Sequence, residues 1–195
     1  MWNEQIIMML LEGIKDTLYM TLTSTLIGYV IGLPMGILLT VTDKDGIHPN
    51  TAVYKVLDVI ANLIRSVPFL ILLIVLIPFT RFLIGRSYGP TATIVPLVIA
   101  AAPYIARMVE SSLKEVDAGV IEAARSMGAS NFTIVTKVML VEARTSLIVG
   151  ATISLGTILG YSAMAGTVGG GGLGDIAIRY GYTRWQTDIM IVTVI

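Results

Sequence analysis

The sequence predicts an all-α transmembrane protein with four complete membrane spans and the start of a fifth. Of its 195 residues, 55% are hydrophobic and only 13% are charged, whereas about 25% of the residues of an ordinary soluble domain are charged. The mean hydropathy is +0.83. The chain also contains four almost uncharged stretches that are long enough for a helix to cross the hydrocarbon core. These observations place the chain in a membrane.

The predicted spans lie between clusters of charged residues, because a crossing helix needs about 20 mostly apolar residues. They are residues 17–42, 59–80, 87–106 and 146–166. The second contains one charge, Arg65, near one of its ends. A further apolar run, residues 189–195, has seven residues, which is too short to cross a bilayer. We therefore expect either a fragment or a protein without a complete fifth span, organised as one transmembrane domain over residues 1–195.

Three glycines of the first span, Gly28, Gly32 and Gly36, are spaced four residues apart and lie on one face of the predicted helix. Overlapping GxxxG steps of this kind let two helices approach each other closely. We therefore expect another helix to pack against this face. The same face would also permit a sliding or rocking movement between two helices.

The distribution of lysine and arginine predicts the orientation, because basic residues accumulate in cytoplasmic loops. With the N-terminus outside, eight basic residues lie in inside loops or at inner span ends: Lys44, Lys55, Arg65, Arg107, Lys114, Arg125, Lys137 and Arg144. Five lie outside: Lys15, Arg81, Arg86, Arg179 and Arg184. This difference places residues 116–141, between the third and fourth spans, in the cytoplasm.

Arginines at the span ends are expected to form ion pairs. A charged side chain at the middle of the bilayer costs about 2.5–3.5 kcal/mol, but Arg107 lies near a cytoplasmic end, where its long side chain can reach water. We expect Arg107 to pair with Glu110 or Glu115.

Residues 116–141 (VDAGVIEAARSMGASNFTIVTKVMLV) predict two short helices joined by a turn. Asp117 can cap the first helix, and Gly128 can supply the left-handed residue that ends it. Ser130 can then cap the second helix. Two short helices at a bend make a rigid protrusion, which we call the docking segment.

The docking segment resembles the EAA loop found in the membrane subunits of ABC importers. The shared pattern is Glu-Ala-Ala, then three residues, then Gly. The resemblance implies a contact with an ATPase subunit in the cytoplasm, made by Glu122, Ala123, Ala124 and Gly128. The loop continues in the family to a proline that is replaced here by Val141, which leaves the end of the second helix open.

Four further stretches resemble the permease subunit of methionine importers, and the resemblance covers nearly the whole chain. They are residues 62–73 (NLIRSVPFLILL), 77–85 (IPFTRFLIG), 101–110 (AAPYIARMVE) and 161–174 (YSAMAGTVGGGGLG). The resemblance implies the type I importer permease fold, with five helices per subunit, in the inner or plasma membrane of a bacterium. It also implies a homodimer with two copies of an ATPase subunit and an extracytoplasmic binding protein that delivers methionine.

A run of glycines follows the fourth span. It contains a formal GxGxxG at Gly169, Gly171 and Gly174, but a dinucleotide-binding fingerprint follows a β-strand in a βαβ unit. This pattern follows a membrane span instead, so we do not expect it to bind a nucleotide. We interpret the run as a hinge at the outer mouth, next to the binding protein, formed by Gly169, Gly170, Gly171 and Gly172. A plain extracellular turn is the alternative.

Tyr161, Ser162 and Met164 lie at the outer end of the fourth span, close to the glycine run. Methionine is flexible and polarizable, so two copies at a dimer axis could close an apolar constriction that repacks when the subunits rock. The resemblance adds that the fourth span lines the pathway in this fold. We therefore expect these three residues to form part of the pathway and its gate, with ordinary helix packing as the alternative for Met164.

The sequence does not predict an enzyme. It has no HExxH or GxSxG pattern and no pair of carboxylates within a span, and Asp58 lies at the cytoplasmic edge of the second span. With His48 as its one histidine and no cysteine, it lacks the residues of a Cys/His metal cluster. We expect no metal and no cofactor. A formal net charge of zero gives no indication of nucleic acid binding.

Two classes of transport function remain open. One is the permease subunit of an ATP-driven importer, and the other is a self-contained secondary transporter or channel. The second class normally requires ion-coupling acids at the bilayer midplane or an inverted repeat, and neither is visible in the sequence. The substrate also remains open between L-methionine, D-methionine, methionine derivatives and another small amino acid, because a binding protein can select the ligand.

Overall fold

A computed structural model describes residues 4–194 of the chain, and within that range all regular structure is helical. In chain order the α-helices are α1 (Glu4–Thr42), α2 (Thr51–Ser66), α3 (Phe69–Val75), α4 (Ile77–Ile84), α5 (Pro90–Lys114), α6 (Ala118–Ser126), α7 (Asn131–Thr133), α8 (Leu140–Glu142), α9 (Arg144–Ala165), α10 (Gly172–Ile176) and α11 (Thr187–Val194). Two π-helical stretches, Ile134–Met139 and Ala177–Tyr182, and one 3-10 turn, Gly166–Val168, complete the set. The predicted all-α class is confirmed.

Three helical stretches of the described chain are long and apolar enough to cross a membrane, namely Glu4–Thr42, Pro90–Lys114 and Arg144–Val168. They contain the first and fourth predicted spans and all of the third except residues 87–89, which precede α5. The pair α2 and α3 provides a fourth span if the two helices are counted together. The helices also extend beyond the uncharged stretches, since α1 begins at Glu4 and α5 continues to Lys114. Charged residues at a helix end can remain in water while the helix itself continues.

The second predicted span, residues 59–80, is not one continuous helix. α2 ends at Ser66 and α3 begins at Phe69, with Pro68 at the break. Proline lacks the backbone N–H that would continue the helical hydrogen bonds, and it disfavours helical geometry at Val67 before it. α3 and α4 are then separated at Leu76, and α4 ends at Gly85, whose φ is +80°. The single proline therefore interrupts the helix within this predicted span.

Contacts between residues divide the chain into two units. The first unit comprises the chain up to Leu26, Val67–Ala100 and the chain from Leu155 onward; the second comprises Ile27–Ser66 and Ala101–Ser154. The helices α1, α5 and α9 each contribute residues to both units. The assignment of residues 1–195 to one transmembrane domain stays a prediction.

In the second unit, the glycine face of α1 packs directly against α5. A Cβ atom added at Gly32 would lie 2.6 Å from the carbonyl oxygen of Ala102, and one added at Gly36 would lie 2.5 Å from that of Ala106. Both distances are shorter than van der Waals contact allows, so only glycine permits this approach. The predicted close helix contact is confirmed.

In the first unit, a small hydrophobic core joins the start of α1 to α10 and α11. Its buried residues are Leu10, Ile176 and Ile189. Gly13 of α1 contributes by its lack of a side chain, since a Cβ atom there would lie 2.5 Å from Cδ1 of Ile176. This core fixes the polypeptide that follows the glycine run.

Candidate functional site

The docking segment, which lies wholly in the second unit, begins with the helix that its sequence predicts. The Asp117 carboxylate accepts a hydrogen bond from the Gly119 N–H at 2.8 Å and caps α6. At the other end the Ala129 N–H donates to the Ala124 carbonyl, and the Gly128 N–H donates to that of Arg125. This pair of hydrogen bonds with Gly128 at a φ of +82° is a Schellman motif. The predicted cap and left-handed turn are confirmed.

The second half of the docking segment begins with the predicted cap and continues as a π-helix. The Ser130 hydroxyl accepts a hydrogen bond from the Thr133 N–H at 3.2 Å. Within the π-helix Ile134–Met139 the hydrogen bonds reach one residue further along the chain, as from the Leu140 N–H to the Val135 carbonyl. α8 then runs through the position where the family has proline, and α9 begins two residues after α8 ends. The boundary that Val141 left open is therefore at Ala143.

The four residues expected to contact an ATPase differ in their exposure. Glu122, Ala123 and Gly128 are exposed, whereas Ala124 is buried. α6 packs against the π-helix that follows it, and Ala124 is on the buried side of α6. Ala124 therefore supports the shape of the docking segment, and the surface offered to a partner contains the other three residues.

Two further residues of the docking segment are strongly exposed although they are large and apolar. Met127 is 82% exposed and Phe132 is 77% exposed. They flank the turn at Gly128. Neither residue was predicted from the sequence, although a signal was present. Both lie in a segment that also carries Asp117, Glu122, Arg125 and Lys137, and these charges make burial in lipid unfavourable.

Ionic contacts hold the helices of the second unit together. Arg107 donates hydrogen bonds to Glu110 at 2.7 Å and to Asp58 of α2. Lys114 contacts the other oxygen of Glu110 at 2.8 Å and Asp43 at 2.7 Å. The predicted pair of Arg107 and Glu110 is confirmed, and the contacts with Asp58 and Asp43 extend it. The Lys114 ammonium, which donates to Asp43, holds the pKa of that carboxyl below its ordinary value.

A single hydrogen bond connects α6 to the loop between α1 and α2. The Arg125 guanidinium donates to the carbonyl oxygen of Ile47 at 3.0 Å. This loop is itself ordered by backbone hydrogen bonds, including those from the His48 N–H to Val41 and from the Asn50 N–H to Thr42. The orientation of α6 is therefore set by the loop between α1 and α2 as well as by the π-helix Ile134–Met139.

In the first unit, the glycine run forms a closely packed turn. The Gly170 N–H donates to the Ala165 carbonyl and the Leu173 N–H donates to the Thr17 hydroxyl, both at 2.9 Å. Gly172 has a φ of +76°, and a Cβ atom there would lie 2.7 Å from the same hydroxyl oxygen. This geometry favours the plain turn that the sequence also allowed. The hinge at Gly169 to Gly172 stays a prediction. No strand precedes the GxGxxG pattern in the described chain.

The three residues assigned to the pathway lie in different environments. Tyr161 stacks on the ring of Phe69, with the ring centroids 4.5 Å apart and the planes 6° from parallel. Ser162 is buried and shares a hydrogen bond with Thr21 of α1 at 3.4 Å. Met164 is 51% exposed. Among these three residues, Met164 is therefore the most exposed, while Tyr161 is half-buried and Ser162 is buried.

The fold and the docking segment define a class of membrane transport subunit. The chain belongs to the family of binding-protein-dependent transport system inner membrane components, whose family model matches residues 9–195. It is therefore a multi-pass component of a membrane transport system. The resemblance read from its sequence is confirmed by more specific relatives.

One relative is the probable D-methionine transport system permease protein MetI of Vibrio cholerae, 48% identical over 187 residues, which cover 96% of this chain and 83% of the relative. The D-methionine transport system permease protein MetI of Escherichia coli K12 is 50% identical over 164 residues, which cover 84% of this chain and 76% of the relative. Both matches extend over most of each protein.

Solved structures give the same result. A structure of the MetNI methionine ABC transporter in inward-facing conformations matches 99% of this chain and 89% of its own chain, with a TM-score of 0.96 and 48% identity. An amino acid ABC transporter solved with histidines matches with a TM-score of 0.78 at 22% identity, which supports the fold alone. The type I importer permease fold is therefore confirmed.

Proposed function

We propose that this chain is the permease subunit of a methionine importer, and that it forms the translocation pathway while a separate ATPase subunit hydrolyses ATP. The observation that carries this proposal is the match to the MetNI methionine ABC transporter over 99% of the chain at 48% identity. Methionine, as the L or D isomer, is the substrate, and the D-methionine permeases among the relatives support this choice.

The docking segment is the contact with the ATPase. It presents Glu122, Ala123 and Gly128 at its surface, and the exposed side chains of Met127 and Phe132 extend the same surface. Small residues let the backbone of a partner approach, and large apolar side chains provide contact area. Because the segment also carries four charged residues, a protein partner suits it better than lipid does.

The subunit lies in the membrane with its N-terminus outside and the docking segment in the cytoplasm. The excess of lysine and arginine on the inner loops supports this orientation. It places the docking segment on the side where ATP is present. It places the glycine turn and residues 180–186 on the side where the binding protein delivers its ligand.

Two copies of the chain form the pathway. The most apolar stretch of α5 is 67% buried, whereas the most apolar stretch of the helix that contains α9 is only 22% buried. Gly156 and Gly160 of α9 have no atom within 4 Å of an added Cβ position. A helix that exposes so much of its surface, including small residues, is suited to contact a twin subunit or line the pathway. Met164 lies on this same helix and is the candidate for a gate at the twofold axis.

ATP-dependent uptake tests the proposal. The chain is to be reconstituted in liposomes with its ATPase subunit, and labelled L-methionine is to be supplied together with the binding protein. We expect uptake only when the ATPase, ATP and the binding protein are all present, and competition by unlabelled D-methionine. Uptake by the permease alone in response to a proton or sodium gradient would instead identify a secondary transporter. Uptake of another small amino acid, with methionine excluded, would contradict the substrate.

A further inference from the structure

A second group of exposed large side chains lies in the first unit, in residues 180–186, which comprise the end of the second π-helix and its connection to α11. Trp185 is 85% exposed, and Tyr182 is exposed as well. The φ of Trp185 is +57°, and it is the one non-glycine residue with a positive φ in the described chain. This conformation is unfavourable for a large side chain. Other contacts of the loop must therefore hold it.

The loop is held by contacts on both sides of Trp185. The Gln186 N–H donates to the Tyr180 carbonyl at 3.3 Å, and the Thr187 N–H donates to the Trp185 carbonyl at 3.1 Å. The Arg184 guanidinium stacks over the Tyr180 ring, 4.5 Å from its centroid. Packing supports these contacts, since a Cβ atom at Gly181 would lie 2.7 Å from Cβ of Met190. The indole is therefore presented outward by a backbone that has one defined conformation.

We infer that Tyr182, Arg184 and Trp185 form a docking surface for the binding protein. The inference rests on the proposed function, which places residues 180–186 outside the cytoplasm. The family to which the chain belongs depends on a binding protein, so this side of the subunit must receive a protein partner. Tryptophan, tyrosine and arginine are also the residues that most often provide the binding energy of a protein interface.

A lipid surface is the main competing occupant, because Trp185 lies two residues before the apolar helix α11 and tryptophan is common where a helix enters a membrane. Lipid headgroups are fluid and do not require one side-chain orientation. An unfavourable backbone conformation that the surrounding contacts maintain indicates a function that does require one. The geometry at Trp185 therefore favours the protein partner.

The test uses a variant that removes the indole and keeps the backbone. Asparagine tolerates the left-handed conformation better than other residues with a side chain, so Trp185→Asn leaves the loop intact, and Trp185→Phe keeps an aromatic ring. We expect the Kd of the reconstituted permease–ATPase complex for purified methionine-binding protein to rise at least tenfold in Trp185→Asn. Trp185→Phe is expected to give a smaller loss. Basal ATP hydrolysis and the melting temperature are expected to stay at the level of the unmodified complex.

Fluorescence distinguishes the possible occupants, because the chain contains two tryptophans and the Trp2→Phe variant leaves Trp185 as the single reporter in this subunit. In a complex with a tryptophan-free ATPase, a blue shift on addition of a tryptophan-free binding protein supports the inference. Quenching by brominated lipids with no response to binding protein would overturn it in favour of the membrane. Shielding from acrylamide before any binding protein is added would overturn it in favour of a second copy of the chain.

The binding experiment also separates this inference from the proposed function. If Trp185→Asn binds the binding protein as tightly as the unmodified complex does, the docking surface is wrong and the importer function stands. If the unmodified complex neither binds the protein nor is stimulated by it, the proposed function fails, and the docking surface fails with it.

Discussion

At the scale of single residues, the docking segment obtains its shape from Asp117 and Gly128. The first satisfies an unpaired N–H at the start of α6, and the second adopts the left-handed conformation that ends it. Both roles depend on the residues immediately around them. Ala124 is different, because its burial depends on how α6 packs on the following π-helix.

The turn at Gly128 gives the first prediction. No atom lies within 4 Å of a Cβ atom placed there, so a side chain acts through backbone strain, about 1–2 kcal/mol for an ordinary residue. We expect Gly128→Leu to weaken the permease–ATPase complex or to uncouple uptake from ATP hydrolysis. Gly128→Asn, which tolerates the conformation, is expected to remain close to normal. A Gly128→Leu variant with normal stoichiometry, ligand-stimulated hydrolysis and uptake would show that the docking assignment is wrong.

The exposed side chains of the docking segment give the second prediction. Replacing both Met127 and Phe132 by alanine should lower the affinity for the ATPase subunit at least tenfold, because large side chains at the centre of an interface contribute most of its energy. The melting temperature of the isolated permease should not change, since both residues are exposed. Phe82→Ala on α4 is the control, because Phe82 is 87% exposed but lies outside the docking segment. Equal losses in both variants would argue against a specific contact.

At the scale of helices, ionic contacts and close packing act together in the second unit. α2 has one buried residue, Ala61, and its contact with α5 includes the pairing of Asp58 with Arg107. α1 approaches α5 through glycines, and its end is joined to α5 by the pair of Asp43 and Lys114. These contacts hold the elements on which the docking segment depends.

The pair of Asp43 and Lys114 gives a prediction on pH. The pKa of Asp43 is lowered from its ordinary value of 3.8 in the folded protein, so the pair stabilises the fold fully above that value. This contribution is lost as the pH falls below 3.8 through the folded pKa. We expect Asp43→Asn to reduce stability by less than about 1 kcal/mol at neutral pH, since Lys114 is partly exposed.

The measurement is the melting temperature in detergent between pH 6 and pH 3. The difference between the original chain and Asp43→Asn should become smaller as the pH falls below 3.8 towards pH 3, because the unfolded chain then binds a proton at this carboxyl more readily than the folded protein does. Glu142→Gln serves as the control, since Glu142 is an exposed carboxyl that lies outside this ionic contact. A difference that stays constant over the whole range would exclude the ionic contribution.

At the scale of the whole molecule, the subunit presents one docking segment and one largely exposed helix, α9. One docking segment per chain cannot engage both ATPases of a closing pair, whereas a twofold dimer can. Ser162 packs against α1, and Tyr161 packs against Phe69. Met164 is the most exposed of the three, which makes it the best candidate to meet its twin across a dimer axis.

A crosslink tests this arrangement. The chain contains no cysteine, so Met164→Cys introduces a unique thiol. We expect the two copies to crosslink in the resting complex, and we expect the yield to fall when ATP, binding protein and a hydrolysis-deficient ATPase are added, because the outer mouth then opens. Native mass spectrometry of the same preparation should show two copies of the chain. If an active complex gives no crosslink in any state, Met164 has an ordinary packing role and does not form a gate.

The sequence by itself determined the apolar helices, the glycine face of α1, the caps of α6 and the turn at Gly128. Each of these depends on residues within one or two helical turns, where spacing and backbone preference are sufficient. The break at Pro68 is local as well, because proline lacks the backbone N–H that would continue the helix. Only the tertiary structure decided that Ala124 and Ser162 are buried and that Asp43 and Asp58 pair with residues of α5. Those outcomes depend on contacts between different helices, and only helix packing brings these side chains together.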